Sequence, residues 1–328
     1  MLDYRATSVR PLWQQLPDAV RAGIVAASGA AVAHAQPSAG SGFSGGFAAV
    51  LELADRRRVF AKAGSSVNPH LVDAYRQEAR ILAVLPPAVP APRFVGAGNL
   101  PAGAADEHEW QFVVAEAAAG AMPHPWTEPA LGAVHEACLA AVEALTPAPG
   151  ALAPLPLMVD DYARDATIRG VFPALAAGRL AVTAGQPAWL GQRLAELATL
   201  VDTTEEALVG TTACHCDLRA DNTLVDGDQA LFVDWNWLAV GPSWVDFVGL
   251  LPLARLDGVD VETWIARSPL TRDADPEHLD AWLALVAAYM LANADLPLWP
   301  GGTPWIRVHQ RRYARAFLDW LAARRGWA

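Results

Sequence analysis

The sequence predicts an α+β fold in two lobes, an antiparallel sheet with a helix followed by a larger, mostly helical part. Three observations lead there. The first 120 residues carry four apolar runs of strand length, separated by turn residues, and one strongly amphipathic helix. From residue 127 onward the apolar spacing is mostly helical. The exception is residues 222–234, where two apolar runs flank Asp226-Gly227-Asp228 and read as a β-hairpin. The 328 residues suit one large domain or two lobes, and the boundary is placed near Gly120, giving 1–119 and 120–328.

Composition narrows the function classes. With 53% apolar and 18% charged residues the chain has the make-up of a soluble enzyme. Its 24 basic and 35 acidic residues leave a net charge of −11, which argues against nucleic-acid binding, where clustered positive charge is needed. The same balance is compatible with a cationic substrate. Three cysteines (Cys138, Cys214 and Cys216) make no disulfide framework and fit a reducing compartment. The start, Met1-Leu2-Asp3-Tyr4-Arg5, lacks the basic-then-apolar order of a signal peptide, and no stretch of about 18 apolar residues reads as a membrane span. A cytoplasmic protein is expected, with no membrane partner; the sequence does not fix its oligomeric state.

The elements follow in order. Residues 17–31 read as a helix, with Pro17 and Asp18 at its start and Val20, Ile24 and Val25 as its apolar side. Gly40-Ser41-Gly42-Phe43-Ser44-Gly45-Gly46 precedes a strand at 47–53. Glycines at Gly40, Gly42 and Gly45 give G-x-G-x-x-G, a backbone able to approach a triphosphate, although a ligand-free turn has the same appearance. A strand rather than a helix follows, so the dinucleotide-binding context is missing. A turn at 54–56 leads to a second strand at 57–62 that ends on Lys62. Asn68-Pro69 opens a helix that stops before Pro86-Pro87, with Glu78 on or beside its apolar face. Strands at 91–96 and 110–116 complete the first lobe, and 116–120 joins the lobes.

In the second lobe Thr127 caps a helix over 127–145, and Pro154 and Pro156 mark an extended connection. Asp160 and Asp161 sit at a helix start, where carboxylates complement the dipole. A long amphipathic helix over 189–208 leads to Cys214-His215-Cys216-Asp217-Leu218-Arg219-Ala220-Asp221-Asn222. The hairpin after it brings the Asn222 amide toward Asp234, and two oxygen ligands suit a Mg²⁺ that also binds phosphates. Asp217, on the loop before the hairpin, is then placed to take a proton from a hydroxyl. The two nearby cysteines have the wrong spacing for zinc and no second ligand pair. Further helices are expected at 261–266, 280–291 and 305–321.

The pattern H-x-D-x-x-x-x-N at His215, Asp217 and Asn222, followed by Asp234-Trp235, resembles the aminoglycoside phosphotransferase family, which has the protein-kinase-like two-lobed fold. The resemblance spans roughly 20–320 and implies an enzyme that uses ATP and Mg²⁺. It implies that Gly40, Gly42 and Gly45 cover the phosphates, that Lys62 contacts them under the guidance of Glu78, and that backbone near Glu116 and Ala118 meets the adenine. It implies Asp217 as the catalytic carboxylate, Arg219 as support for the γ-phosphate, Asn222 and Asp234 as metal ligands, and His215 and Asp246 as structural members of the loop. Cys216 stands where the family often has glycine; a small residue is kept, so little effect is expected. Trp235, Trp237 and Trp244 lie where the family's substrate cleft begins, with core packing as the plainer assignment. The acceptor implied is a hydroxyl of a small molecule: an aminoglycoside-like antibiotic, a sugar, an amino alcohol or a natural-product intermediate. A non-catalytic nucleotide-binding regulator on the same fold is the competing reading, against which stand the intact Lys62, Asp217 and Asp234.

Overall fold

The computed structural model describes residues 6–38, 42–181 and 185–327. Helix α1 (Asp18–Ser28) comes first, then strands β1 (Val32–Pro37), β2 (Phe47–Leu53) and β3 (Arg58–Ser65), helix α2 (Pro69–Leu82), and strands β4 (Phe94–Leu100) and β5 (Trp110–Glu116). The strands form one antiparallel sheet in the order β1-β2-β3-β5-β4. Alternation along β5 divides the two faces. Phe112 and Val114 join Val20 and Ile24 of α1, while Val113 and Ala115 join Tyr75 and Ala79 of α2. The sheet is therefore covered on both sides, and α2 is pressed against the strand that carries Lys62.

Several boundaries differ from the sequence expectation. Helix α1 stops at Ser28 because Gly29 takes a left-handed turn at φ 75°. Strand β1 had no sequence signal: Val-Ala-His-Ala-Gln-Pro has no apolar alternation, since none of its residues is fully buried. It is an edge strand, where Pro37 is tolerated. Strand β4 begins at Phe94 rather than residue 91, beyond Pro92, which has no N–H to give to a ladder.

The helical part contains α3 (Glu128–Leu145), the short α4 (Ala166–Arg169) and α5 (Val171–Ala176), and α6 (Leu194–Ala207). Thr127 Oγ1 caps α3 by accepting from Ala130 N at 3.3 Å. The helix expected over 189–208 is two pieces, a 3₁₀ turn at Leu190–Gln192 and α6, broken at Arg193. Strand β6 (Thr212–Cys214) pairs with β9 (Ala239–Gly241), and β7 (Thr223–Asp226) with β8 (Gln229–Phe232) is the expected hairpin. Helix α7 (Val245–Leu256) was not separately foreseen. It is buried nearly all round and carries Pro252, so it shows no amphipathic stripe. Helices α8 (Val261–Arg267), α9 (Pro276–Asn293) and α10 (Trp305–Arg325) complete the chain. Among the described residues no helix is long and apolar enough to cross a membrane.

The sheet and the helical part meet at the hairpin. Ala121 and Val225 exchange backbone hydrogen bonds of 3.0 and 2.9 Å, and Phe232 N donates to Pro90 O at 2.8 Å. Gly120 makes the first contact possible. Its φ is 97°, and a Cβ there would lie 2.7 Å from Val225 O.

Candidate active site

Strand β6 delivers the loop 215–222, and α7 clamps it. Asp246 in the first turn of α7 accepts from His215 N (Oδ2, 2.6 Å) and Cys216 N (Oδ1, 2.9 Å). This is the expected structural role. The His215 ring is spoken for at both nitrogens. Nδ1 accepts from Asp217 N at 3.3 Å, so Nε2 carries the hydrogen directed at Val233 O, 2.9 Å away. Burial lowers its pKa and keeps the imidazole neutral, despite the opposing pull of Asp246. Cys216 has φ 63°, in the left-handed region, where glycine is free of the strain a Cβ brings.

The loop and the hairpin are stitched together. Asn222 Nδ2 donates to Asp217 O at 2.8 Å and Asp217 Oδ2 at 3.1 Å, and Val233 N donates to Asn222 O at 2.9 Å. With its N–H groups committed, the Asn222 amide is left with Oδ1 as its acceptor atom. Asp234 follows Val233 and also has a left-handed backbone, at φ 66°. Its carboxylate receives Lys62 Nζ from the sheet. The same ammonium donates to Glu78 at 2.8 and 3.0 Å, with Lys62 and Glu78 both buried. A buried ammonium and two carboxylates from strand, helix and hairpin thus share one place, which local sequence alone does not assemble.

Arg219 lies on the other side of Asp217. It ion-pairs with Asp217 and grips Asp221 through Nε (3.0 Å) and Nη2 (3.1 Å). The two carboxylates respond oppositely. Burial raises the pKa of Asp217, and Arg219 offsets this only in part. At Asp221 burial is again the largest single effect, but the Arg219 charge and hydrogen bonds together with His309 outweigh it and the pKa falls. Asp217 is thereby the more basic of the pair and Asp221 the firmer anion.

For a metal, the oxygens on offer are Asn222 Oδ1 and the Asp234 carboxylate, the latter engaged by Lys62. Among the described residues no group of three or more His, Cys, Asp or Glu is arranged to hold a metal ion. Two such hard donors would suit a Mg²⁺ completed by phosphate oxygens and water.

The glycine-rich loop connects β1 to β2. Gly40 lies outside the described residues; Gly42 and Gly45 lie within them. Thr7 Oγ1 donates to Gly42 O and Ser8 Oγ to Ser44 O, each at 2.6 Å, and Arg10 Nη1 donates to Gly46 O at 2.9 Å. From the far end of the chain, Thr303 N donates to Phe43 O at 3.2 Å. The Phe43 ring reaches the helical part, 4.8 Å from the His309 ring and 5.9 Å from the Arg219 guanidinium. At the connection between the parts, Glu116 is exposed and its N–H is committed to Arg93 O, as Ala117 N is to Arg58 O. Ala118 N–H is the next backbone donor along the chain.

Of the three tryptophans after Asp234, Trp235 and Trp244 are buried and Trp237 is 57% exposed. Trp235 packs on His215 at 4.6 Å and donates to Phe232 O, so it supports the loop from the core. Asp160 is held by Arg164 at 2.7 Å. The sequence reading missed Phe43, Asp221, Tyr162 and Tyr289. The pKa of both phenols is raised, chiefly by desolvation, and the Asp217 charge adds to the effect. Asp221 had a visible signal, a second carboxylate two residues from Arg219; the tyrosines had none.

The family model described as the phosphotransferase enzyme family (APH) matches residues 40–267. No curated protein matches the chain. Among solved structures, a thermostable mutant of aminoglycoside phosphotransferase APH(4)-Ia, in ternary complex with AMP-PNP and hygromycin B, is similar at TM-score 0.59 and 14% identity, over 94% of this chain and 98% of that one. Spectinomycin phosphotransferase APH(9)-Ia, in complex with ADP and spectinomycin, gives TM-score 0.59 and 12% identity over 94% and 98%. A choline/ethanolamine kinase family protein from Mesorhizobium loti gives 0.52 and 18% over 86% and 87%. At these identities the likeness is one of fold, the expected α+β, protein-kinase-like arrangement of a sheet followed by helices.

Proposed function

Because this chain belongs to the phosphotransferase enzyme family, we propose that it moves the γ-phosphoryl group of ATP to a hydroxyl of a small molecule. The observation that carries the proposal is Lys62 joined to both Glu78 and Asp234, beside an Asp217 bonded to Asn222. In this reading residues 1–119 and 120–328 act as two lobes around the nucleotide. Gly40, Gly42 and Gly45 cover the phosphates, and Lys62, oriented by Glu78, balances their charge. The adenine edge lies against the backbone at Glu116 and Ala118. Asn222 and Asp234 hold Mg²⁺, which supplies further neutralisation of the phosphate oxygens.

Asp217 accepts the acceptor's proton while the acceptor oxygen bonds to phosphorus and the bond to the β-phosphate oxygen breaks, leaving ADP. A pKa raised by burial makes this carboxylate a better base than an ordinary aspartate. Arg219, whose charge the two aspartates secure against burial, faces the negative charge of a loose transition state. Two features support a small acceptor. Similar structures hold hygromycin B and spectinomycin, and only the short stretch 235–245 separates Asp234 from Asp246, too little for a peptide-docking segment. The net charge of −11 favours a cationic one. Three free cysteines fit the reducing cytoplasm.

The test is MgATP consumption across aminoglycosides, other hydroxylated antibiotics, sugars and amino alcohols, for wild type and Asp217→Ala. Acceptor-stimulated ADP release that falls about 10³-fold in the variant is expected. Turnover retained by the variant removes Asp217 as the base, and nucleotide binding without turnover on any compound favours a regulatory protein.

A further inference from the structure

We propose that Asp221 is a positioning residue of the transfer step: it grips one edge of the Arg219 guanidinium and so aims the other end at Asp217 and the group being transferred. The proposal rests on the phosphotransferase reading above. A guanidinium presents five N–H groups in a rigid plane. Asp221 takes the Nε–Nη2 edge in a two-point fork of 3.0 and 3.1 Å. Nη1 is left to point at Asp217. The Asp221 side chain is 3% exposed against 16% for Arg219, so the gripping carboxylate is buried behind the arginine and the working end faces the site. The Phe43 ring, 5.9 Å from the guanidinium carbon, restricts its swing from above.

The grip has a second consequence. An arginine free to rotate would present an edge to Asp217 and form the two-point pair there, because carboxylate and guanidinium match in that geometry. Such a pair would occupy both oxygens of the carboxylate that must receive the acceptor's proton. Asp221 satisfies that edge first, so Arg219 reaches Asp217 only at Oδ1, and Oδ2, which accepts the single Asn222 hydrogen bond of 3.1 Å, keeps a lone pair for the acceptor. The fork closes a loop of only three residues within the turn 219–222, so it adds little to the global fold.

The test compares Asp221→Asn, Arg219→Ala and the double variant in MgATP turnover, first with water as acceptor and then with any compound that stimulates the wild type. Asp221→Asn is expected to lower kcat by about 10- to 100-fold, the penalty typical of a misaimed group, with KM for ATP within about threefold and no further loss in the Arg219→Ala background. Equal losses in both backgrounds, or an unchanged kcat, overturn the proposal. The Arg219 Nε–H signal in protein labelled with ¹⁵N-arginine, assigned by its disappearance in Arg219→Lys, gives a readout that needs no turnover. It is expected to be protected from exchange in the wild type and to lose that protection in Asp221→Asn; protection retained overturns the grip. A wild type that never consumes ATP would sink the phosphotransferase reading, while the Nε–H signal still decided the role of Asp221. Thermal unfolding identifies any variant that fails to fold, in which case Asp221→Glu, which moves the carboxylate by one methylene, takes its place.

Discussion

The loop at 215–222 and the glycine-rich loop before β2 are both expected to handle phosphate, yet they are held in opposite ways. The first is tied from within its own neighbourhood: His215, Cys216 and Asn222 are bonded to Val233 or Asp246, and Asp217 to Asn222, all inside about thirty residues of chain. The second is tied from outside, by Thr7, Ser8 and Arg10 on one side and Thr303 and His309 on the other. Local ties give a rigid support whose pattern is written in consecutive sequence. Remote ties make a cover whose position depends on both ends of the chain. A support that must hold a carboxylate to within a fraction of an ångström benefits from the first arrangement. On the proposed function, a cover that must let nucleotide in and out is served by the second, since remote contacts can be released without unfolding the support.

Substitutions sharpen that comparison. The largest effect is expected for Asp246→Ala, which leaves two inward-facing backbone N–H groups without their carboxylate. Each unsatisfied donor costs about 1–3 kcal/mol, so the melting temperature should drop by several degrees and turnover by about 100-fold, as measured by calorimetry and steady-state kinetics. If both stay near wild type, α7 is not what holds the loop. Arg10→Ala should do less, because it removes one of several ties to the glycine loop. Stability should fall by about 1 kcal/mol and KM for ATP should rise a few-fold, with kcat nearly unchanged. A kcat loss matching that of Asp246→Ala would erase the distinction between support and cover.

His309, under Phe43, tests the seat of the cover through pH. Burial, reinforced by Arg219, lowers its pKa to about 3, so the unfolded chain takes up this proton before the folded one does. Its contribution to stability is therefore fully present above about pH 6.5 and declines as the pH falls toward 3. His309→Gln should flatten the acid limb in urea unfolding between pH 7 and pH 5, and an unchanged slope would show that His309 is not the group responsible. The smallest effect concerns Cys216. Removing the Cβ from a left-handed residue relieves about 1 kcal/mol, so Cys216→Gly should keep activity within about threefold, whereas Cys216→Val should lower the melting temperature, β-branched residues being poorest at such a φ.

The sequence by itself determined α1 and the elements from β2 through β5, the α2 helix with its Asn68-Pro69 start, the Thr127 cap, the hairpin, and the spacing that puts His215, Asp217, Asn222 and Asp234 around one loop. These features depend on short-range rules: turn chemistry, capping and the two hydrophobic periods act over a few residues and leave a mark in consecutive letters. The tertiary structure decided the rest. It fixed β1, whose edge position hides it from any apolar pattern, and α7, whose full burial erases its stripe. It also brought Phe43 onto His309, across a separation on which local periodicity is silent. Arg219 shows where the two kinds of information join. Its partners were present in the sequence, but which edge of the guanidinium each would hold was settled only when the turn was folded and Asp221 was buried behind it.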